Sequence, residues 1–166
     1  MVSEGIVIAN TTPLINFAEV DRLELLRDLF GEVVAPKAVV DELQAKRGLF
    51  PKAASACEAP FVRVREAANR PLIATLTWEL HEGEAECIAL AIEAPPSLLL
   101  LDELAARSVA EHHGLRFTGT VGCLRLAKKR GLIPAIAPLL DELRQKARFW
   151  LTPGLIEQVL RDAGEP

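Results

Sequence analysis

Leu98-Leu99-Leu100-Leu101-Asp102 is the stretch on which the fold turns: four leucines in a row, closed by an aspartate. A strand with one face in water alternates apolar and polar residues. An unbroken apolar run belongs to a strand covered on both faces, the situation inside a parallel sheet. Helical patterns flank the run. Before it, from Gly83, the residues Ala85, Ile88, Ala89, Ala91 and Ile92 fall on helical spacing, and Pro95-Pro96 stops the pattern. After it, Leu104, Ala105, Val109 and Ala110 repeat that spacing until Gly114.

Working outward, the same alternation recurs. Gly5 to Ala9 reads as a β-branched strand, followed by Thr12 as a cap for a helix that starts at Pro13. A second helix runs from Asp21 to Gly31, then Glu32 to Ala35 reads as a strand and the residues after Pro36 as a helix. Lys46 to Cys57 reads as a loop or broken helix, Phe61 to Val64 as a strand, and residues 67–80 fit no single pattern. Leu115 to Thr118 is a further strand, with Thr120 placed to cap a helix that reaches Arg130. Two more helices follow, Pro134 to Ala147 and Pro153 to Ala163. Strand–helix alternation with short apolar strands predicts an α/β fold: a three-layer α/β/α sandwich around a mostly parallel sheet.

The chain has 166 residues, half of them hydrophobic, and a formal net charge of −4. That length suits one domain over 1–166, with the C-terminal helices (about 134–163) packed on it. No run is long enough to span a membrane, and no basic segment followed by an apolar one opens the chain. The three cysteines, Cys57, Cys87 and Cys123, are scattered and suit reduced thiols in a cytoplasmic protein. Slight acidity argues against nonspecific coating of nucleic acid.

Open parallel sheets build their sites outside the carboxyl ends of the strands. Asn10 follows the first strand, Asp102 follows the leucine run, and Thr118-Gly119-Thr120 follows the last strand. Asp41 and Glu42, and Glu82, Glu84 and Glu86 around Gly83, lie early in helices. Acids gathered on one edge repel unless a cation sits among them, and hard oxygen ligands suit Mg²⁺ or Mn²⁺. Taken singly, each acid is equally explained as a helix cap or a complement to a helix N-terminus.

Five blocks carry a resemblance. Ile6-Val7-Ile8-Ala9-Asn10-Thr11-Thr12-Pro13-Leu14-Ile15, the segment from Phe30 to Leu43, Gly83-Glu84-Ala85-Glu86-Cys87-Ile88-Ala89-Leu90-Ala91, Leu101-Asp102-Glu103 with Ala106-Arg107, and Thr118-Gly119-Thr120-Val121-Gly122-Cys123-Leu124 follow one another in the order found in PIN-domain proteins. The chain resembles a prokaryotic PIN subgroup related to the VapC toxins. The resemblance implies a PIN fold and a Mg²⁺- or Mn²⁺-dependent ribonuclease, the toxin of a toxin–antitoxin pair. Its metal ligands would be Asn10, Glu42, Glu84 and Asp102, with Glu86 and Glu103 as outer members; Glu84 is preferred to Glu86 because it adjoins Gly83. Thr118 and Thr120 would position water or phosphate. RNA and an antitoxin protein are the implied partners.

One departure stands out. The family carries aspartate where this chain has Asn10, so the site loses a unit of charge and metal binding should weaken. The expectation is an impaired nuclease; the alternative is a noncatalytic RNA- or partner-binding protein. Arg107, about one helical turn from Asp102, is placed to pair with a carboxylate or a phosphate, and Lys128 and Lys129 are further phosphate contacts or solvated helix-end charges. Phe149, Trp150 and Leu151 suit core packing, and otherwise a homodimer surface or antitoxin dock.

Overall fold

The computed structural model describes residues 5–95 and 97–166. In chain order the elements are β1 (Ile6–Ala9), α1 (Thr11–Glu19), α2 (Glu24–Phe30), β2 (Val33–Pro36), α3 (Lys37–Ala45), α4 (Pro51–Ala54), a 3₁₀ turn (Ala56–Glu58), β3 (Val62–Arg65), α5 (Arg70–Leu76), α6 (Glu82–Glu93), β4 (Ser97–Leu100), α7 (Leu104–His112), β5 (Arg116–Thr118), α8 (Thr120–Lys129), α9 (Ala137–Lys146) and α10 (Pro153–Asp162).

The strands form one sheet in the order β3-β2-β1-β4-β5, every neighbouring pair parallel. Helices cover it in a three-layer α/β/α arrangement. The leucine run lies where its composition requires: Leu99, Leu100 and Leu101 are wholly buried beside β1, whose Val7, Ile8 and Ala9 are buried too. Helix α6 packs against β1, β2 and β4, and its continuous buried row from Gly83 to Ala91 matches that central position. Helix α8 packs against both α1 and α2. Cys87 and Cys123 are buried thiols, and Cys57 is half-buried.

The chain leaves β1 toward β2 but returns later to place β4 on the other side of β1. The sheet therefore changes direction between β1 and β4, the point where open α/β sheets hold their ligands. The ladder pairs Ala9 with Leu100, and the Asn10 amide donates to the Leu100 carbonyl at 3.1 Å. Asn10 and the Asp102-Glu103 pair thus emerge side by side.

Several boundaries differ from the sequence expectation. Helix α1 begins at Thr11, so Thr12 lies inside it and does not cap it. Helix α8 likewise begins at Thr120, with Gly119 in the cap position. Both threonine hydroxyls donate to carboxylates, a hydrogen bond strengthened by the acceptor's charge. The unassigned 67–80 region contains α5, whose first turn is capped by Asn69 accepting from the Leu72 amide at 3.1 Å. Pro96, expected to help stop α6, lies outside the described residues.

The C-terminal helices are fastened by one carboxylate. Glu165 accepts from the amides of Ile136 and Ala137 and from Lys128 Nζ. Helix α9 packs on α1.

Candidate active site

Asn10 occupies the N-cap position of α1, where an asparagine oxygen ordinarily accepts from the first turn. Here the side chain makes no such bond. Its Nδ2 donates to Glu103 Oε2 at 3.3 Å, and its Oδ1 is buried with no hydrogen-bond partner among the described residues. A buried carbonyl oxygen left without a donor costs about 1–3 kcal/mol. The space in front of it is kept open by Gly83, whose missing Cβ would lie 3.2 Å from Glu42 Oε2 and 3.5 Å from Asn10 Oδ1.

Glu42 borders that opening, and Glu84 lies near enough to Glu42 and Glu103 to feel their charge. Glu42, one turn from the end of α3, accepts from Thr11 Oγ1 at 2.6 Å and pairs with Lys46 Nζ at 2.8 Å. Burial pushes its carboxyl up, but the Lys46 and Thr11 hydrogen bonds outweigh burial and hold it below the ordinary range. Glu84, in the first turn of α6, folds back to accept from the His81 amide at 3.0 Å. Burial raises its carboxyl; the His81 bond opposes this, and the negative charges of Glu103 and Glu42 add to the rise. Glu103 takes hydrogen bonds from Asn10 and from the Thr12 hydroxyl.

Asp102 has a separate setting. Its two oxygens accept from the Thr120 amide at 2.8 Å and the Thr120 hydroxyl at 2.7 Å, so it caps α8, not the helix that follows it in sequence. Burial raises the Asp102 carboxyl, Thr120 counteracts this, and the charge of Glu103 adds to the rise while Arg107 lowers it. Behind Thr120, the fully buried Asn16 donates its Nδ2 to Thr120 Oγ1 at 2.9 Å. A threonine hydroxyl has one hydrogen. With Asn16 as its donor, that hydrogen is directed at Asp102.

The structure thus gathers Asn10, Glu42, Glu84 and Glu103 about one opening, with Asp102 next to Glu103 but turned toward Thr120. Of the two expected outer members, Glu103 faces Asn10. Glu86 does not: its oxygens accept from the Ala38 amide at 2.8 Å and the Ala67 amide at 3.2 Å, tying the start of α3 to the loop after β3. The Thr118 hydroxyl lies over Gly122, where any Cβ would collide with it, apart from the carboxylates. Arg107 Nε donates to the Leu101 carbonyl at 2.8 Å, and its guanidinium stacks 5.6 Å over the Phe117 ring. Lys128 is spent on the Ala163 carbonyl at 2.6 Å and Glu165 at 2.8 Å, which leaves Lys129 as the exposed cation of that pair. Thr11, Asn16 and Lys46 were not singled out from sequence. Asn16 had a signal, a lone amide among Leu14, Ile15 and Phe17.

The donor chemistry suits a hard divalent cation: an unpartnered carbonyl oxygen and three carboxylates around a gap a Cβ would fill. As the side chains stand, no three Asp, Glu, His or Cys groups among the described residues converge closely enough to hold an ion. The reason is local, since Glu42, Glu84 and Glu103 each rest on a hydroxyl, amide or ammonium that an ion would displace.

No helix among the described residues is long and apolar enough to cross a membrane. A comparison with curated proteins finds no significant match. A family model described as a PIN domain matches residues 6–165, nearly the whole chain. The chain belongs to the PIN-domain family, a nuclease-type family whose members generally use divalent metal ions.

Proposed function

We propose that this protein is a Mg²⁺- or Mn²⁺-dependent ribonuclease whose metal site is weakened by the neutral ligand Asn10. The observation that carries this reading is the buried, unpartnered Asn10 Oδ1 at the gap left by Gly83, which Glu42 also borders. Asn10, Glu42, Glu84 and Glu103 would hold the ion, with Asp102 at its edge. A bound divalent ion supplies charge to a phosphodiester and makes water a better nucleophile at neutral pH. The chain's own residues supply position. Asp102, fixed by Thr120 and through it by Asn16, stands at the rim beside Arg107, whose guanidinium is preset for a phosphate oxygen. Glu86, Thr118 and Lys128 belong to the frame of this site. The family resemblance extends the reading to a toxin restrained by an antitoxin, which co-purification with the product of the adjoining gene would test.

A second reading, a noncatalytic protein that binds RNA or a partner, is favoured by one observation: every carboxylate of the cluster already has a donor from the protein. The two readings part in one experiment. The protein and Asn10→Asp are compared on single-stranded RNA in Mn²⁺, with Glu42→Gln as the blank and Mn²⁺ binding followed by calorimetry. The nuclease reading expects slow cleavage, roughly tenfold or more faster in Asn10→Asp, from one added unit of ligand charge. Cleavage by neither, with no heat on Mn²⁺ titration, would overturn it.

A further inference from the structure

From Asp102 and Gly119 a groove of about 600 Å³ runs along Arg107 and Phe117 to a wall formed by Phe149 and Trp150. The acidic rim shares its inner end, Asp102 and Arg107, and leaves the aromatic wall without a role. Trp150 is 73% exposed on that wall, an apolar area that packing leaves open to water. Its position is set by a backbone rarely adopted by residues other than glycine. Arg148 has φ +55°, and the Phe149 amide then turns back to the Leu143 carbonyl at 3.1 Å, so the chain leaves α9 with the indole at the groove.

At the inner end, Arg107 is held for a ligand. Its Nε is bound to the Leu101 carbonyl, its plane rests on Phe117, and Gly119 gives it room, since a Cβ there would strike Nη2. Among the described residues its Nη hydrogens have no acceptor. Asp102 accepts from Thr120, and Arg125, which shares the lining, is paired with Asp162 at 3.1 Å, so Arg107 is the cation that this groove leaves open to a ligand. A rigid planar donor pair suits a phosphate oxygen, and an exposed indole at the far wall suits the face of an unpaired base.

We propose that this groove binds single-stranded RNA, seating one unpaired nucleotide next to the phosphate at the acidic rim, its base on Trp150 and its phosphate on the Nη atoms of Arg107. The location of the reacting phosphate rests on the nuclease reading; the binding itself does not. Duplex RNA keeps its bases stacked on one another and offers none to the indole.

The chain has two tryptophans, so Trp78→Phe leaves Trp150 as the only indole reporter. With a chelator present to prevent cleavage, a short single-stranded RNA should quench the emission of Trp78→Phe, and the same sequence as a duplex should not. In anisotropy with labelled single-stranded RNA, Trp150→Ala should bind at least fivefold more weakly, with Trp150→Phe within twofold of the unaltered protein. Absence of quenching, equal quenching by duplex, or unchanged affinity of Trp150→Ala would each overturn the proposal. So would self-association, or capture of the candidate antitoxin, abolished by Trp150→Ala while RNA affinity stays. Weakened binding by Trp150→Ala with no cleavage in Mn²⁺ would remove the nuclease reading and leave the groove. Cleavage that Trp150→Ala does not alter, at unchanged affinity, would do the reverse.

Discussion

Glu84 and Glu86 lie two residues apart on α6, and burial does not tell them apart, at 6% and 3% exposure. Their surroundings do. Glu86 gives both oxygens to backbone amides, as do Glu93, on Ala68 and Asn69, and Glu165, on Ile136 and Ala137. Such glutamates finish the hydrogen bonding of loops and helix starts that regular structure cannot complete. Glu84 is bound once by an amide and is otherwise set against Glu42 and Glu103, beside a carbonyl oxygen with no donor. A carboxylate that meets amides supports the fold; one that meets its own kind costs the fold something, and that cost marks the candidate centre.

The contrast can be broken most forcefully at Glu86. Glu86→Ala strands two backbone amides, so we expect a loss of roughly 2–6 kcal/mol in chemical unfolding, at about 1–3 kcal/mol per orphaned group. A loss below 1 kcal/mol would erase the distinction. Asn10→Asp comes next. Without metal the new carboxylate faces Glu103 where the amide now donates, so the melting temperature should fall; millimolar Mn²⁺ should raise it more than it raises the unaltered protein. Equal metal-induced shifts in the two would count against Asn10 as a ligand. The smallest effect belongs to Glu84→Gln, whose amide oxygen can still accept from His81. Because the folded carboxyl titrates above its ordinary range, its ionised form opposes folding above that range and ceases to do so once protonated. The metal-free variant should therefore be more stable than the parent at pH 7, and the gain should vanish as the pH falls through the raised value. Circular dichroism melts from pH 4 to 8 would check the sign.

Much of this architecture was legible from composition alone. An apolar run such as Leu98 to Leu101 has one comfortable place, and Gly31 and Gly114, at φ +81° and +67°, end helices as such residues must. Helix α5 was not legible because it is short, begins Arg70-Pro71 and buries only Ile73 and Leu76. At the rim, the residues that follow strands could be counted off, yet neighbours could not be ranked. Asp102 and Glu103 differ by the direction in which the chain turns out of β4, and only the threonine hydroxyls of α1 and α8 decide which acid faces Asn10 and which faces away. Sequence spacing carries no information about a hydroxyl's orientation.

Glu165 has a consequence for the whole C-terminal third. Loss of the Glu165 carboxylate would release the amides of Ile136 and Ala137 and the ammonium of Lys128 together. That single loss would unlatch the start of α9 from the end of α8, loosening the segment that carries Trp150. A change at this one residue, remote from Asn10, would thereby travel to the groove wall.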